Sequence, residues 1–287
     1  MKYNQVNKTI FEICHDDTLN FVAKSIEIER RLNTCNDTDI LLHIDHAGVI
    51  PECFDHDSTE EKVFAKYCDA LLARAFRVLG LDAKTIPERS DSADVIAKQD
   101  HHTIVADAKA FRLSRTAKNQ KDFKVEALDK WRKGADFACL VSPLYQYPNS
   151  NSQIYEQAIR YNVTLLSYTH LAFMIRNKTA LQQNGGLKDL WSIPGTLTAT
   201  KSADTYWNAI DKKILQLLNK TSAEWNAFVD GQKTILPEKA NEQIAFWEEE
   251  KQRIAKLSHI KAVEELLKAL KIDAKIEIIK RTAGLED

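Results

Sequence analysis

Asp94, Asp107 and Lys109 are the residues of this 287-residue chain whose types and spacing best suit chemistry. They lie in two segments rich in Val and Ile, Ala93 to Lys98 and Thr103 to Ala110, and the polar QDHH between them marks a hairpin. With the turn centred on Asp100 and His101, residues pair across the hairpin so that Asp94 stands opposite Asp107. Directly opposed residues have Cβ atoms about 4.5–5.5 Å apart, too close for two bare carboxylates without a cation between them. A divalent metal of hard oxygen preference such as Mg2+ resolves that conflict, and the carbonyl of Ala108 offers one more oxygen. Lys109, two residues past Asp107, falls on the same face, within reach of a phosphate oxygen or a water. A metal, an activated water and a cation at the scissile phosphate are what phosphodiester hydrolysis needs. The bland alternative is surface charge with a cross-strand salt bridge.

The sequence around this trio favours the chemical reading. Lys109, Arg112, Arg115, Lys118, Lys121 and Lys124 recur at every third position. From Lys109 to Lys133 nine basic residues face three acidic ones, while the whole chain has a formal net charge of -1. Positive charge confined to one segment beside a metal-holding acid points to a polyanion, nucleic acid first. The near-neutral total argues against indiscriminate coating of DNA.

The elements that must position these groups follow from punctuation and periodicity. Eight glycines and six prolines predict long helices with few tight turns. The N-terminal part reads as helical, and STEEKVFAKYCDALLARAFRVLG gives its strongest helix. Ser58 is the N-cap, Glu61 the third helical residue and Gly80 the stop, with Phe64, Tyr67, Leu71, Ala75 and Val78 on the apolar face. After the hairpin, Phe123, Ala127 and Trp131 predict a helical face before Gly134. DFACLVSP and the VTLLSY beginning at Val163 read as buried strands. The order helix, strand, strand, helix, strand, helix, strand is a mixed α/β core. From Asn177 to Thr205, Gly-Gly, Pro-Gly and Thr/Ser-rich stretches mark loops or a linker. Trp207 to Arg281 reads as helical, with Ile244, Trp247, Ile254, Leu257, Val263, Leu267 and Leu270 as candidate buried positions and Glu248 to Glu250 as a solvated face. We therefore expect a core over 1–195 with a helical N-terminal part, and a helical subdomain over 196–287 packed on it.

Composition sets the remaining bounds. With 44% hydrophobic and 28% charged residues the chain reads as globular. No apolar run exceeds five residues, against the roughly 20 of a membrane-spanning helix, and no stretch of signal-peptide length opens the chain, so a cytoplasmic location is expected. Five widely spaced cysteines without a C-x-x-C pair read as reduced thiols. His43, Asp45 and His46 lack further ligands at a recognisable spacing and read as structural or surface residues. His101 and His102 belong to the turn. Ser114 and Thr116 have no His and acid partners for nucleophilic catalysis.

STEEKVFAKYCDALLARAF, ADVIA and VADAKAFRLSRTAKNQKDFKVEAL, within Ser58 to Arg132, closely resemble the HindIII family of type II restriction endonucleases, in the PD-(D/E)XK nuclease superfamily. A weaker similarity continues through SPLYQYPNSNSQIYEQ and LLSYTHLA. The superfamily's first acid falls on Asp94, preceded here by Ala93 instead of proline, and its D/E-x-K on Asp107, Ala108 and Lys109. The resemblance implies a PD-(D/E)XK-like mixed sheet flanked by helices and a homodimer that binds the palindrome AAGCTT. With Mg2+ it would cut each strand after the first adenine. A cognate DNA adenine methyltransferase would protect the host. Two other readings stand beside this one: a repair or structure-specific nuclease of the same superfamily, and a non-catalytic DNA-binding protein with no use for Lys109.

Some neighbouring residues have two readings. Asn119 and Asp122 are placed to cap the helix that follows. They are equally of the types that contact adenine and cytosine in the major groove, and the resemblance favours base contacts, with Lys121 beside them. Arg112, Arg115, Lys118 and Lys124 are candidates for phosphate contacts, or simply an exposed basic face. Glu61 could supply an accessory acid from its helix, although its capping role already explains it. Glu88 has a similar claim and is otherwise a loop acid.

Overall fold

Short polar side chains start three of the four helices that open the chain in the computed structural model, which describes residues 1–86, 92–115, 120–183 and 186–283. After α1 (Val6–Cys14), Asn20 accepts from the Ala23 amide to begin α2 (Phe21–Asn33), and Asn36 from the Asp39 amide to begin α3 (Asp37–Asp45). Ser58 accepts from the Glu61 amide to begin α4 (Thr59–Val78), as its N-cap position predicts. Gly80, at φ +94°, follows the helix where a left-handed residue is needed. Most of α4 is buried, including Phe64, Tyr67, Leu71 and Phe76.

Helix α4 packs across one sheet of five strands: β1 (Asp82–Thr85), β2 (Val95–Gln99), β3 (His102–Ala108), β4 (Phe137–Ser142) and β5 (Val163–Ser167), in that spatial order. The first two pairings are antiparallel and the last two parallel. Strands β2 and β3 pair from Gln99–His102 to Val95–Ala106, the register expected from a turn at Asp100 and His101, and Asp100 takes φ +52° to make it. Asp94 and Asp107 are the next residues in that register. Pattern reading missed β1, whose DAKT has one buried position and no β-branched run.

Between β3 and β4 the described residues form two short helices, α5 (Gln120–Phe123) and α6 (Val125–Trp131), in place of one. Lys124 at φ +52° breaks them. The buried side chains are Phe123, Val125 and Leu128, while Ala127 and Trp131 are only partly covered. Helix α7 (Gln153–Arg160) makes the crossover to β5, and α8 (Tyr168–Arg176) follows it. The expected linker is built as short helices, α9 (Lys178–Gln183), α10 (Lys188–Trp191) and α11 (Ile193–Thr196), because Leu181, Leu187, Leu190 and Trp191 are buried.

The chain divides into Met1–Ala240 and Asn241–Asp287, later than the expected boundary at 195 and 196. The reason is that α12 (Ala203–Leu218) and α13 (Ser222–Gln232) belong to the core. The Leu165 amide of the last strand donates to the Tyr206 hydroxyl at 2.7 Å, which closes an open sheet edge. His170 lies stacked between Trp207 and Trp225, with its Nε2 2.9 Å from Asp211, while the Trp225 indole donates to the same carboxylate at 3.1 Å. Helices α14 (Ile235–Ala255), α15 (His259–Ala269) and α16 (Ile272–Ala283) complete the chain. Of the positions expected to be buried there, Ile244, Trp247, Ile254, Val263, Leu267 and Leu270 are exposed and Leu257 is partly covered. Each helix has an apolar stripe, but among the described residues from Asn241 onward no layer buries it.

His43 is buried between the Tyr67 hydroxyl and the Met1 carbonyl, and Asp45 pairs with Arg176, so this His/Asp group is structural as expected. The five cysteines are free thiols, with Cys35, Cys68 and Cys139 buried.

Gly48 ties the end of α3 to the segment that follows β3, just past the candidate site. Its carbonyl accepts from the Phe111 amide at 2.9 Å, and Val49 bridges Phe111. Its φ is +86°, and a Cβ there would overlap Pro143 and stand 2.7 Å from Tyr168. Gly48→Ala is expected to lower the unfolding free energy by about 2 kcal/mol or more, through overpacking and backbone strain together, measured by denaturant unfolding.

Candidate active site

Asp107 lies near the end of β3, opposite Leu140 of β4, and is 1% exposed. Lys109 follows just past the strand and is fixed at both backbone groups: its amide donates to Val141 at 2.7 Å, and its carbonyl accepts from the Tyr168 hydroxyl at 3.1 Å. Its Nζ is in direct contact with Asp107 Oδ2. Ala108, between them, pairs with Val141. Asp94 sits just before β2, its carbonyl accepting from Ile86 at 2.8 Å. Opposed registration therefore brings Asp94 and Asp107 together, as the hairpin predicts.

A third carboxylate joins them from α4. Asp69, Asp94 and Asp107 each offer an oxygen within 4.8 Å of the others. One turn before Asp69, Lys66 places its Nζ 2.8 Å from Asp94 Oδ1 and 3.4 Å from Asp69 Oδ2. Asp69 and Lys66 escaped the sequence reading, which looked to Glu61 for an acid on this helix. The signal was present: Asp69 interrupts a run in which Tyr67, Cys68 and Ala70 to Ala73 are all buried, and Lys66 is spaced to pair with it.

The electrostatics follow from crowding in a dry place. Burial pushes the Asp69 carboxyl well above the usual carboxylate range, with Asp94 and Asp107 adding to the rise and Lys66 and Lys109 opposing it. Burial also raises Asp107, against the pull of Lys109 and with the push of Asp94. Burial works against the Lys66 ammonium, but Asp69 and Asp94 outweigh it and push the group up to about 12. Lys109 is likewise raised, its desolvation outweighed by Asp107. The donor set, three carboxylates with no thiol or imidazole, fits a hard divalent cation.

The other candidates divide. Glu61 is apart from this cluster. Its carboxylate accepts from the Asp57 amide at 2.6 Å, lies 3.1 Å from His56 and pairs with Arg112, so the acid that α4 brings to Asp94 and Asp107 is Asp69 instead. Arg112 is turned inward in the described structure. Its guanidinium donates to the Pro51 and Phe54 carbonyls and to Glu61, and it ties the loop before α4 to the segment after β3. Arg115 is exposed and paired with Asp122, whose side chain is only 6% exposed. Lys121 and Lys124 are exposed, with Lys124 lying 6.0 Å over the Trp131 ring. Glu88, Lys118 and Asn119 lie outside the described residues.

Comparison with known proteins places these features in a family. The profile of the family described as HindIII restriction endonuclease matches residues 4–283. The type II restriction enzyme HindIII of Haemophilus influenzae strain Rd is 34% identical over 250 residues, spanning 85% of this chain and 83% of that protein. The crystal structure of the small subunit of the heterodimeric restriction endonuclease R.BspD6I matches 63% of this chain and 97% of its own at 13% identity, with a TM-score of 0.38.

Asp69 supplies a test of the electrostatics. A carboxyl raised above its unfolded value costs stability above that raised value, and the cost is relieved as pH falls and the folded protein takes up a proton. Asp69→Asn is thus expected to stabilise the metal-free protein by about 1 kcal/mol at alkaline pH. The advantage should shrink on acidification, as followed by thermal unfolding across a pH series.

Proposed function

The chain belongs to the HindIII restriction endonuclease family and is a type II site-specific deoxyribonuclease, and we propose that it makes Mg2+-dependent double-strand cuts at AAGCTT, after the first adenine. The observation that carries the mechanism is the convergence of Asp69, Asp94 and Asp107 beside Lys109. Asp94 and Asp107 would hold the divalent cation, with Asp69 and the Ala108 carbonyl as further oxygen donors. A cation held there supplies charge neutralisation at the scissile phosphate and a more acidic water. Lys109, positioned by Val141 and Tyr168, orients that water and donates to the phosphate oxygen on which charge develops. Burial around Asp107 keeps these interactions strong by excluding competing water.

Phosphate contacts fall to Arg115, Lys121 and Lys124, which give affinity and salt dependence without sequence choice; Lys118 is assigned with them by its place in the basic run. Base contacts fall to Asn119 and Asp122, with Arg115 changing partners from Asp122 to a phosphate. A palindrome is read by a twofold pair, so the working form is a homodimer acting on double-stranded DNA. Its host needs a cognate adenine methyltransferase as a genetic partner. We place the enzyme in the cytoplasm, where that DNA lies; no described helix is long and apolar enough to cross a membrane.

Digestion of one DNA of known sequence with Mg2+, followed by mapping of the ends, is expected to give discrete fragments ending within AAGCTT. Cuts at another sequence would overturn the specificity, and random cleavage would overturn the site-reading mechanism. Lys109→Ala is expected to slow cleavage by about 10²–10³-fold while DNA affinity, measured without cleavage, changes only a few-fold.

A further inference from the structure

Lys66 occupies the same carboxylates that the proposed cation needs. Its Nζ bridges Asp94 at 2.8 Å and Asp69 at 3.4 Å, while Lys109 is held on Asp107. Two ammonium groups therefore neutralise most of the charge of three crowded carboxylates. Lys109 is anchored at both ends of its backbone, and its Nζ is held on Asp107. Lys66 comes from a different element and has somewhere to go. Together with Asp69 and Asp94 it lines a cavity of about 110 Å³ whose wall includes Glu29, Ser25 and Thr85. Glu29 accepts there from the Thr85 hydroxyl at 2.6 Å, so a carboxylate is already fixed in the cavity.

We infer that Lys66 is a resident counter-ion that competes with the divalent cation for Asp94 and Asp69, and that it swings into this cavity toward Glu29 when the cation enters. The inference rests on the reading of Asp94 and Asp107 as metal ligands. Its physical basis is simple electrostatics. A positive charge about 4 Å from a divalent ion opposes its binding strongly at protein-like dielectric. Without any positive charge the carboxylates repel one another. Lys66 thus holds the site together in the metal-free protein at the expense of metal affinity, and Glu29 makes its departure easier. Lys66 is a positioning residue for the site and touches no reacting atom.

The test uses Mn2+, which shares the preference for hard oxygen ligands. It is titrated into the full-length, DNA-free protein and the free ion is counted by electron paramagnetic resonance. Lys66→Met is expected to tighten Mn2+ binding by about tenfold or more. Lys66→Arg, which keeps the charge, should bind like the natural protein, and Glu29→Gln should weaken binding several-fold. Unchanged or weaker binding in Lys66→Met, with circular dichroism showing a folded protein, would overturn the competition. If Lys66→Met does not fold, tighter binding in Lys66→Arg would overturn it. Unchanged binding in Glu29→Gln would overturn the swing toward Glu29. Asp107→Asn separates the underlying reading: if it binds Mn2+ as well as the natural protein, the metal site itself is misplaced and the inference falls with it.

Discussion

Three carboxylates forced together, two of them buried, are the constraint on which the rest of this structure depends. Asp69, Asp94 and Asp107 approach within 4.8 Å at their oxygens, and burial drives Asp69 and Asp107 toward their neutral forms. Nothing about folding requires that arrangement, and an apolar replacement would suit the core better. The site survives because two lysines stand against it, Lys66 on Asp69 and Asp94 and Lys109 on Asp107.

The placement of these groups comes from ordinary backbone pairing. The β2–β3 ladder sets Asp94 against Asp107, the parallel β4 strand grips the Lys109 amide, and the Tyr168 hydroxyl closes on the Lys109 carbonyl. Gly48 allows the chain after α3 to pass close to Pro143 and Tyr168 while pairing with Phe111. Arg112 works from the other side of the same segment, tying it to the carbonyls of Pro51 and Phe54 and to Glu61 at the start of α4. A residue that looks like a DNA contact in the sequence is thus part of the frame around Asp107 and Lys109.

The hairpin and its two acids were legible because side-chain direction in strands depends only on register, and the polar turn fixed the register. The course of α4 was legible through Ser58 and Gly80. Asp69 was harder to see: one acid in a helix acquires meaning only when α4 packs on the sheet beside Asp94, a long-range event without a local pattern. The inward turn of Arg112 was hidden for the same reason, since its partners lie some fifty or more positions earlier in the chain. Helix α15 shows the converse error. Amphipathic spacing predicts that an apolar face exists, not that this unit covers it, and Val263, Leu267 and Leu270 remain exposed.

Locating the metal itself tests the account most directly. Crystals soaked in Mn2+ and measured at a wavelength where manganese scatters anomalously should show a peak against Asp94 and Asp107. A peak confined to His56, Asp57 and Glu61, the other described group close enough to hold an ion, would contradict it.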